Sequence, residues 1–380
     1  MALTPEADVP EIFSPLSNFA DITIAQWLKA LANNPETLIN RLFHIKGLEL
    51  ATGSGNPDLA RKIAAEMLLK IDPVMERFSK NDPVKVFPDG ELRPAFHEDS
   101  ALRRKHVMVI QSFAPAWEEG DRGINDQLIE LLLTIHAAKL GSASEVTAVL
   151  PYCPYARSDK KDLPMVSIGA RLIMDLIKVA GADRVVATDI HKDQIAGFFD
   201  GPFDVIYSSE FFIAIVRERL NLSNLVLVSA DGGGEKMVRA WSKRLLGHPN
   251  IGVVSKSRAS DNCESESFSY QGPDLTKMTA LFVDDLIAGG GTAVDASIEV
   301  KCSGAKEIIF IAPHALFLED ALQNIKKSPI NQIWTTNTIR QRLDVYNPEV
   351  TGGKIIIEDI APFLADKLIR VHTGKSMEID

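Results

Sequence analysis

The sequence predicts an α/β protein made of two units, each a mostly parallel sheet with helices on both faces. Short strand-like runs, apolar at most positions, recur at 106–111, 146–150, 184–188, 225–229, 280–283 and 307–311, and a more polar one, Gln-Ile-Trp-Thr-Thr, at 332–336. Runs that do not alternate with polar residues are typical of strands covered on both faces. Longer segments with helical periodicity lie among them at 125–140, 168–180 and 293–300, and this alternation implies parallel sheets joined by crossover helices. At 380 residues the chain is long for one domain and accommodates two of about 150 residues.

Residues 1–46 stand apart. A proline-dotted start gives way to Ile24, Trp27, Leu28, Leu31, Leu38, Ile39 and Leu42 at amphipathic spacing, which predicts a helical extension docked on the main body. The first α/β unit is expected over 47–207 and the second over 208–380, with the boundary near Tyr207. Between 255 and 276 the chain turns polar, with Ser-Lys-Ser-Arg-Ala-Ser-Asp-Asn-Cys-Glu-Ser-Glu-Ser at its start. That stretch cannot bury much surface and reads as a mobile lid or as a plain exposed connection.

Composition excludes several classes. With 46% hydrophobic and 24% charged residues, the chain has an ordinary globular make-up. A net charge of −10 argues against general nucleic-acid binding, which needs a basic surface. No apolar run approaches the ~20 residues of a membrane span. The acidic start (Glu6, Asp8, Glu11), with no Lys or Arg before Lys29, is wrong for a signal or transit peptide. Cys153, Cys263 and Cys302 lie far apart, so neither a disulfide framework nor a zinc knuckle is implied, and a reducing, cytoplasmic compartment is expected.

The most informative segment is Leu281-Phe282-Val283-Asp284-Asp285-Leu286-Ile287-Ala288-Gly289-Gly290-Gly291-Thr292. An apolar strand runs into two carboxylates, then a glycine-rich turn, then a helix. Backbone N–H groups of such a turn converge on an anion, and the helix N-terminus adds partial positive charge. Adjacent acids at a strand end are costly unless solvated or liganded, and here they would hold sugar hydroxyls or a hydrated metal ion. Together they suggest a phosphorylated sugar. Neither a P-loop nor a G-x-G-x-x-G dinucleotide fingerprint is present. A second strand-to-glycine transition, Ser229-Ala230-Asp231-Gly232-Gly233-Gly234, opens another helix, although Asp231 could simply cap it. Arg157, His191, Asp231 and Asp284 all follow strand ends, the edge at which open α/β sheets bind ligands.

These motifs resemble the ribose-phosphate diphosphokinase (phosphoribosyl pyrophosphate synthetase) family. The resemblance rests on 107–112, Pro154-Tyr155-Ala156-Arg157-Ser158-Asp159-Lys160-Lys161-Asp162, Asp189-Ile190-His191 with Gln194 and Gly197-Phe198-Phe199, Asp231 to Gly234, Lys256-Ser257-Arg258 and 283–292, and runs from about Leu48 to the C-terminus. It implies two tandem phosphoribosyltransferase-like domains and transfer of pyrophosphate from ATP to ribose 5-phosphate. It further implies that Asp284, Asp285, Gly289, Gly290, Gly291 and Thr292 hold ribose 5-phosphate. Arg157, Ser158 and Asp159 would face ATP, with Phe87, Asp89 and Glu91 clasping adenine from a neighbouring subunit. His191 and Asp231 would place Mg²⁺ directly or through water. Lys256 and Arg258 would be the catalytic cations of the mobile loop. A homo-oligomer follows, dimer-based and possible as a hexamer.

The chain also departs from the family pattern. Ala288 stands where an acidic or hydroxyl residue is usual. Leu163-Pro164-Met165-Val166 offers neither cation nor hydroxyl where the family builds a regulatory phosphate site, and Asp193 and Ala196 replace a serine and a glutamine. Phosphate activation and ADP inhibition are therefore expected to be weak. Competing readings are a single-domain phosphoribosyltransferase, a catalytically silent regulatory subunit and a nucleotide-binding module without turnover.

Overall fold

A computed structural model describes residues 46–67, 71–72, 85–96, 102–257 and 267–377. Except for Lys46, the expected extension over 1–46 lies outside the described residues, as does Arg258. The elements in chain order are β1 (Leu48–Thr52), α1 (Pro57–Met67), β2 (Ile71–Asp72), β3 (Lys85–Val86), β4 (Leu92–Arg93), β5 (His106–Ile110), α2 (Ile124–Leu140), β6 (Glu145–Leu150), α3 (Gly169–Ala180), β7 (Arg184–Thr188), β8 (Phe203–Ile206) and α4 (Ser209–Arg219). They continue with β9 (Leu225–Ser229), α5 (Glu235–Leu246), β10 (Ile251–Ser257), β11 (Ser267–Gln271), β12 (Thr279–Val283), β13 (Leu286–Ile287), α6 (Gly291–Cys302), β14 (Glu307–Ile311), β15 (His314–Ala315), α7 (Ala321–Lys327), β16 (Gln332–Thr336), α8 (Pro348–Thr351), β17 (Ile355–Glu358) and α9 (Ala361–His372).

Two sheets result, ordered β2-β1-β5-β6-β7-β8 and β11-β10-β9-β12-β14-β16-β17. The order β10-β9-β12-β14-β16-β17 repeats that of the first sheet, strand for strand. Every pairing in them is parallel except β10 with β11. The expected class is therefore what forms. The central strands β5, β9 and β12 are buried almost throughout, because helices cover both faces.

The two halves exchange helices. α4 leaves the first sheet and packs Phe212, Ile213, Ile215 and Val216 against Leu225, Leu227, Val238 and Trp241 of the second. In return α9 leaves the second sheet and packs Ala361, Leu364, Ala365 and Leu368 against Leu59, Ile63, Met67 and Leu50 of the first. The last helix of the unit expected over 208–380 thus completes the other sheet. Apolar periodicity marks which face of a helix is buried but does not say which sheet receives it.

The tail after α9 is also pinned. Lys367, 3% exposed, donates to Glu210 Oε2 at 2.6 Å and to the Met377 carbonyl at 2.5 Å, and stands 5.1 Å from the centre of the Phe363 ring.

Leu364, 1% exposed, anchors α9. We expect Leu364→Ala to cost about 2–5 kcal/mol in urea unfolding. Amide exchange should accelerate in β1 and β5 but not in β9 and β12; the reverse pattern would contradict the exchange of helices.

Candidate active site

In open α/β sheets the ligand crevice lies at the carboxyl ends of the strands, where the strand order reverses. The first sheet reverses between β1 and β5, the second between β9 and β12. The first point is filled by the protein itself. A Cβ on Gly55 would lie 1.8 Å from the Ser112 carbonyl oxygen. Glu130 accepts from Ser54 N at 2.9 Å and Ser54 Oγ at 2.6 Å, and Gln127 spans to the Ala114 backbone. The second point carries both glycine-rich turns.

Those turns differ. After β9, Asp231 Oδ1 accepts from Gly233 N (2.8 Å) and Gly234 N (3.0 Å), so the turn supplies its own anion. Asp231 thus closes the turn and does not cap the helix, whose N-cap is Gly234. After β12, Gly290 adopts φ +72, which favours glycine, and α6 starts with no side-chain cap and no acid in its first turn. Gly289, Gly291 and Thr292 are exposed. The 12-residue helix therefore presents an N-terminus that an external anion can cap.

Ala288 takes part in a small apolar cluster with Ala114, Leu316 and Ile339 between the two halves. Its backbone carbonyl accepts from Leu318 N at 3.0 Å. A carboxylate here would be pressed against apolar neighbours, which gives the departure at 288 a packing reason.

The carboxyl ends of the two sheets meet at a seam. His191, just past β7, lies 2.7 Å (Nδ1) from Asp285 Oδ2, just past β12. The bond to Asp285 raises the His191 pKa against the effect of burial. Burial would raise Asp285, but its bonds with His191 and Asp284 outweigh this and hold it below the usual range. Asp284 is pushed well above that range by burial and by the neighbouring charges of Asp285 and Asp231. His191, Asp285, Asp284 and Asp231 thus form one electrostatic chain drawn from both halves. Asp189, at φ 43, is pushed up to about 7 by burial and accepts from Ser208 N on both oxygens at 3.1 Å, tying β7 to the start of α4.

The other expected site residues fall in different places. Arg157 is exposed and lines a small cleft with Tyr152, His191 and Asp285. Ser158 Oγ instead accepts from Gly169 N at 3.1 Å, and buried Asp159 accepts from Gln194 Nε2 at 2.6 Å, so both hold their own loop in shape. Asp89 and Glu91 are exposed at the tip of the β3–β4 hairpin with Phe87, where Phe87 N donates to the Glu91 carbonyl at 2.9 Å. Lys256 sits on β10, paired with Phe268. β10 pairs with β9 only as far as Val253↔Ser229, so Lys256 is carried about 10 Å beyond the sheet's carboxyl edge.

Among the described residues, no three His, Cys, Asp or Glu side chains are grouped to hold a metal ion. The donor set nevertheless fits a cation bound largely through water and phosphate, as Mg²⁺ usually is. Like charge accumulates at Asp231, Asp284 and Asp285, and with Nδ1 of His191 engaged by Asp285, Nε2 is the ring nitrogen that would serve a cation when the ring is neutral. Glu130, at the closed reversal of the first sheet, and His314, at the seam, carry no motif. A histidine three residues after the strand at 307–311 is the one available signal.

Two tandem phosphoribosyltransferase-like sheets, with one open anion turn and a carboxylate–histidine chain between them, define a class that handles phosphorylated ribose. The N-terminal domain of ribose phosphate pyrophosphokinase matches residues 48–181, and the phosphoribosyl synthetase-associated domain matches residues 271–379. Ribose-phosphate pyrophosphokinase of Aquifex aeolicus is 34% identical over 88% of this chain and 98% of its own length. The Synechocystis protein of that name is 34% identical over 96% and 98%, and ribose-phosphate pyrophosphokinase 4 of Saccharomyces cerevisiae 34% over 88% and 94%. The crystal structure of phosphoribosylpyrophosphate synthetase from Mycobacterium smegmatis aligns with TM-score 0.74 and 32% identity, covering 87% of this chain and all of that one. The chain belongs to the ribose-phosphate pyrophosphokinase family.

Burial pushes the Glu130 carboxyl up from 4.5 to about 7, although the Ser54 bonds favour its charged form. A folded value above the unfolded one means that its contribution to stability is present below pH 4.5 and lost as pH rises through 7. Relative to Glu130→Gln, wild-type stability should fall by on the order of 3 kcal/mol between pH 4.5 and 8 in urea titrations. Parallel curves for the two proteins would contradict this.

Proposed function

We propose that this protein is a ribose-phosphate diphosphokinase that transfers the β,γ-pyrophosphoryl group of ATP to ribose 5-phosphate. The anomeric oxygen attacks the β-phosphorus, the bond from that phosphorus to the α,β-bridging oxygen breaks, and AMP leaves. The hydroxyl proton is released and 5-phosphoribosyl 1-pyrophosphate forms. The observation that carries this reading is the uncapped turn at Gly289 to Thr292, beside Asp284 and Asp285, in a chain of this family. The turn would take the 5-phosphate and the two acids the ring hydroxyls.

Such transfer asks the protein for little covalent work, so positioning and charge stabilisation carry the catalysis. Arg157 would contact ATP, while Ser158 and Asp159 shape the loop that presents it. Phe87, Asp89 and Glu91 would clasp the adenine of a neighbouring subunit, which makes the active form a homo-oligomer, dimer-based or hexameric. His191 and Asp231 would hold Mg²⁺, in part through water; when bound, it offsets charge on the β- and γ-phosphate oxygens. Lys256 and Arg258 would close over the transferring group and exclude water. The separated thiols suit a cytoplasmic setting. Among the described residues, no helix is long and apolar enough to cross a membrane.

AMP should appear from ATP only when ribose 5-phosphate and Mg²⁺ are both present. A silent subunit would yield none, and a phosphoribosyltransferase would instead consume 5-phosphoribosyl 1-pyrophosphate. Lys256→Ala or Arg258→Ala should lower turnover ~10²–10³-fold, as loss of one preorganised donor does. Inorganic phosphate, titrated at constant free Mg²⁺, should activate little. Leu163 and Met165 are exposed and apolar, and Asp193 accepts from Tyr207 Oη at 3.1 Å, so this region adds no cation for phosphate.

A further inference from the structure

His314 has no role in the scheme above, yet it lies at the centre of the seam. It is 2% exposed. Its ring is shared between the halves: Nε2 lies 3.0 Å from the Thr188 carbonyl of the first, and Nδ1 lies 2.9 Å from Thr338 Oγ1 of the second. A carbonyl only accepts, so Nε2 carries the hydrogen. With Nε2 protonated, Nδ1 is an acceptor for the Thr338 hydroxyl, whose one hydrogen is shared between Nδ1 at 2.9 Å and the Pro313 carbonyl at 3.1 Å. Burial favours the neutral ring.

The backbone of His314 is engaged at the same place. Its N–H donates to the Asp285 carbonyl at 3.3 Å, where β15 pairs with β13 in the register Leu286↔His314. Thr188 ends β7, three residues before His191, and between them Asp189 adopts a left-handed φ of 43. One residue therefore fixes the backbone at both ends of the His191–Asp285 contact. Tyr152 packs on the ring at 5.0 Å between centroids, which limits its freedom to turn.

We infer that His314 is a positioning residue. It holds the His191 end of the first half against the Asp284–Asp285 end of the second, and so sets the placement of ATP relative to the sugar. This rests on the proposed assignment of ribose 5-phosphate to the second half and of ATP to the first, with the cation between His191 of the first and Asp231 of the second. Transfer falls steeply when the reacting groups are misplaced, and a displacement near 1 Å costs about 10²-fold. A histidine that merely fills space would affect stability alone.

Two substitutions in the full-length protein separate these roles. In His314→Gln the side-chain amide can still donate to the Thr188 carbonyl. In His314→Asn it stops near the Nδ1 position and the bond between the halves is lost. We expect His314→Asn to lower kcat ~10–10²-fold and to weaken Mg²⁺-dependent ATP binding measured by calorimetry. Ribose 5-phosphate binding, measured calorimetrically without ATP, should stay within about threefold, because its turn and acids belong to one half. His314→Gln should recover most of the loss. Equal kcat for the two variants, or an unchanged kcat with only a lowered melting temperature, would overturn the inference. If His314→Asn does not fold, His314→Leu, which fills the space but cannot donate to the Thr188 carbonyl, takes its place beside His314→Gln, and equal kcat for those two would overturn the inference as well. A wild-type protein that makes no AMP would sink the functional reading itself, whereas an active wild type with unaffected variants would sink only the role of His314.

Discussion

The site depends on the reciprocal helix exchange. α4 and α9 each leave one sheet and bury an apolar face on the other, so neither half closes its core alone. Burying Leu364 and Leu368 on one side and Phe212 and Val216 on the other supplies the non-directional attraction. Directional bonds across the seam then select a single arrangement. Asn56 Nδ2 donates to the Asn337 carbonyl at 2.8 Å, Ser112 Oγ to the Thr338 carbonyl, and Trp117 Nε1 to the Arg340 carbonyl at 2.8 Å. Hydrogen bonds of this kind contribute little net energy each and much geometric definition.

Within that frame the seam concentrates charge that would be unfavourable elsewhere. Asp285 and Asp231 add to burial in raising Asp284, and His191 offsets Asp285 from the opposite half. The contact of His191 with Asp285 orients the imidazole and partly neutralises the acid pair. It leaves Asp284 with the raised pKa expected of a carboxylate short of a counter-ion. A site prepared in this way favours a ligand bearing hydroxyl groups and an accompanying cation.

The repeat of strand order also shows how one architecture yields one crevice instead of two. Both sheets reverse direction between equivalent strands. In the first, Ser54, Gln127 and Glu130 close the reversal with their own bonds, and Gly55 brings its backbone against Ser112. In the second, Asp231 satisfies one glycine turn and, among the described residues, no side chain caps the helix that follows the other. The asymmetry lies in the side chains and not in the topology.

Much of this was legible in the sequence. The strands at 106–111, 146–150, 184–188, 225–229 and 307–311, the anion turn at 289–292 and the acids before it are all local patterns, and local patterns survive folding because period and turn chemistry are set by near neighbours. The inward-facing roles of Ser158 and Asp159, the packing of Ala288, the pairing of His191 with Asp285 and the clamp at His314 were not legible. Ser158 and Asp159 depend on partners 11 and 35 residues away within the first half. His191 and His314 depend on partners 94 and 126 residues away, across the seam that the crossing of α4 and α9 creates. By itself the sequence determined the class of fold, the glycine-rich turn before α6 and the family. Only the tertiary structure decided which carboxylates meet at the seam and which bond within their own loop, because that choice is made by burial and by distance across the seam.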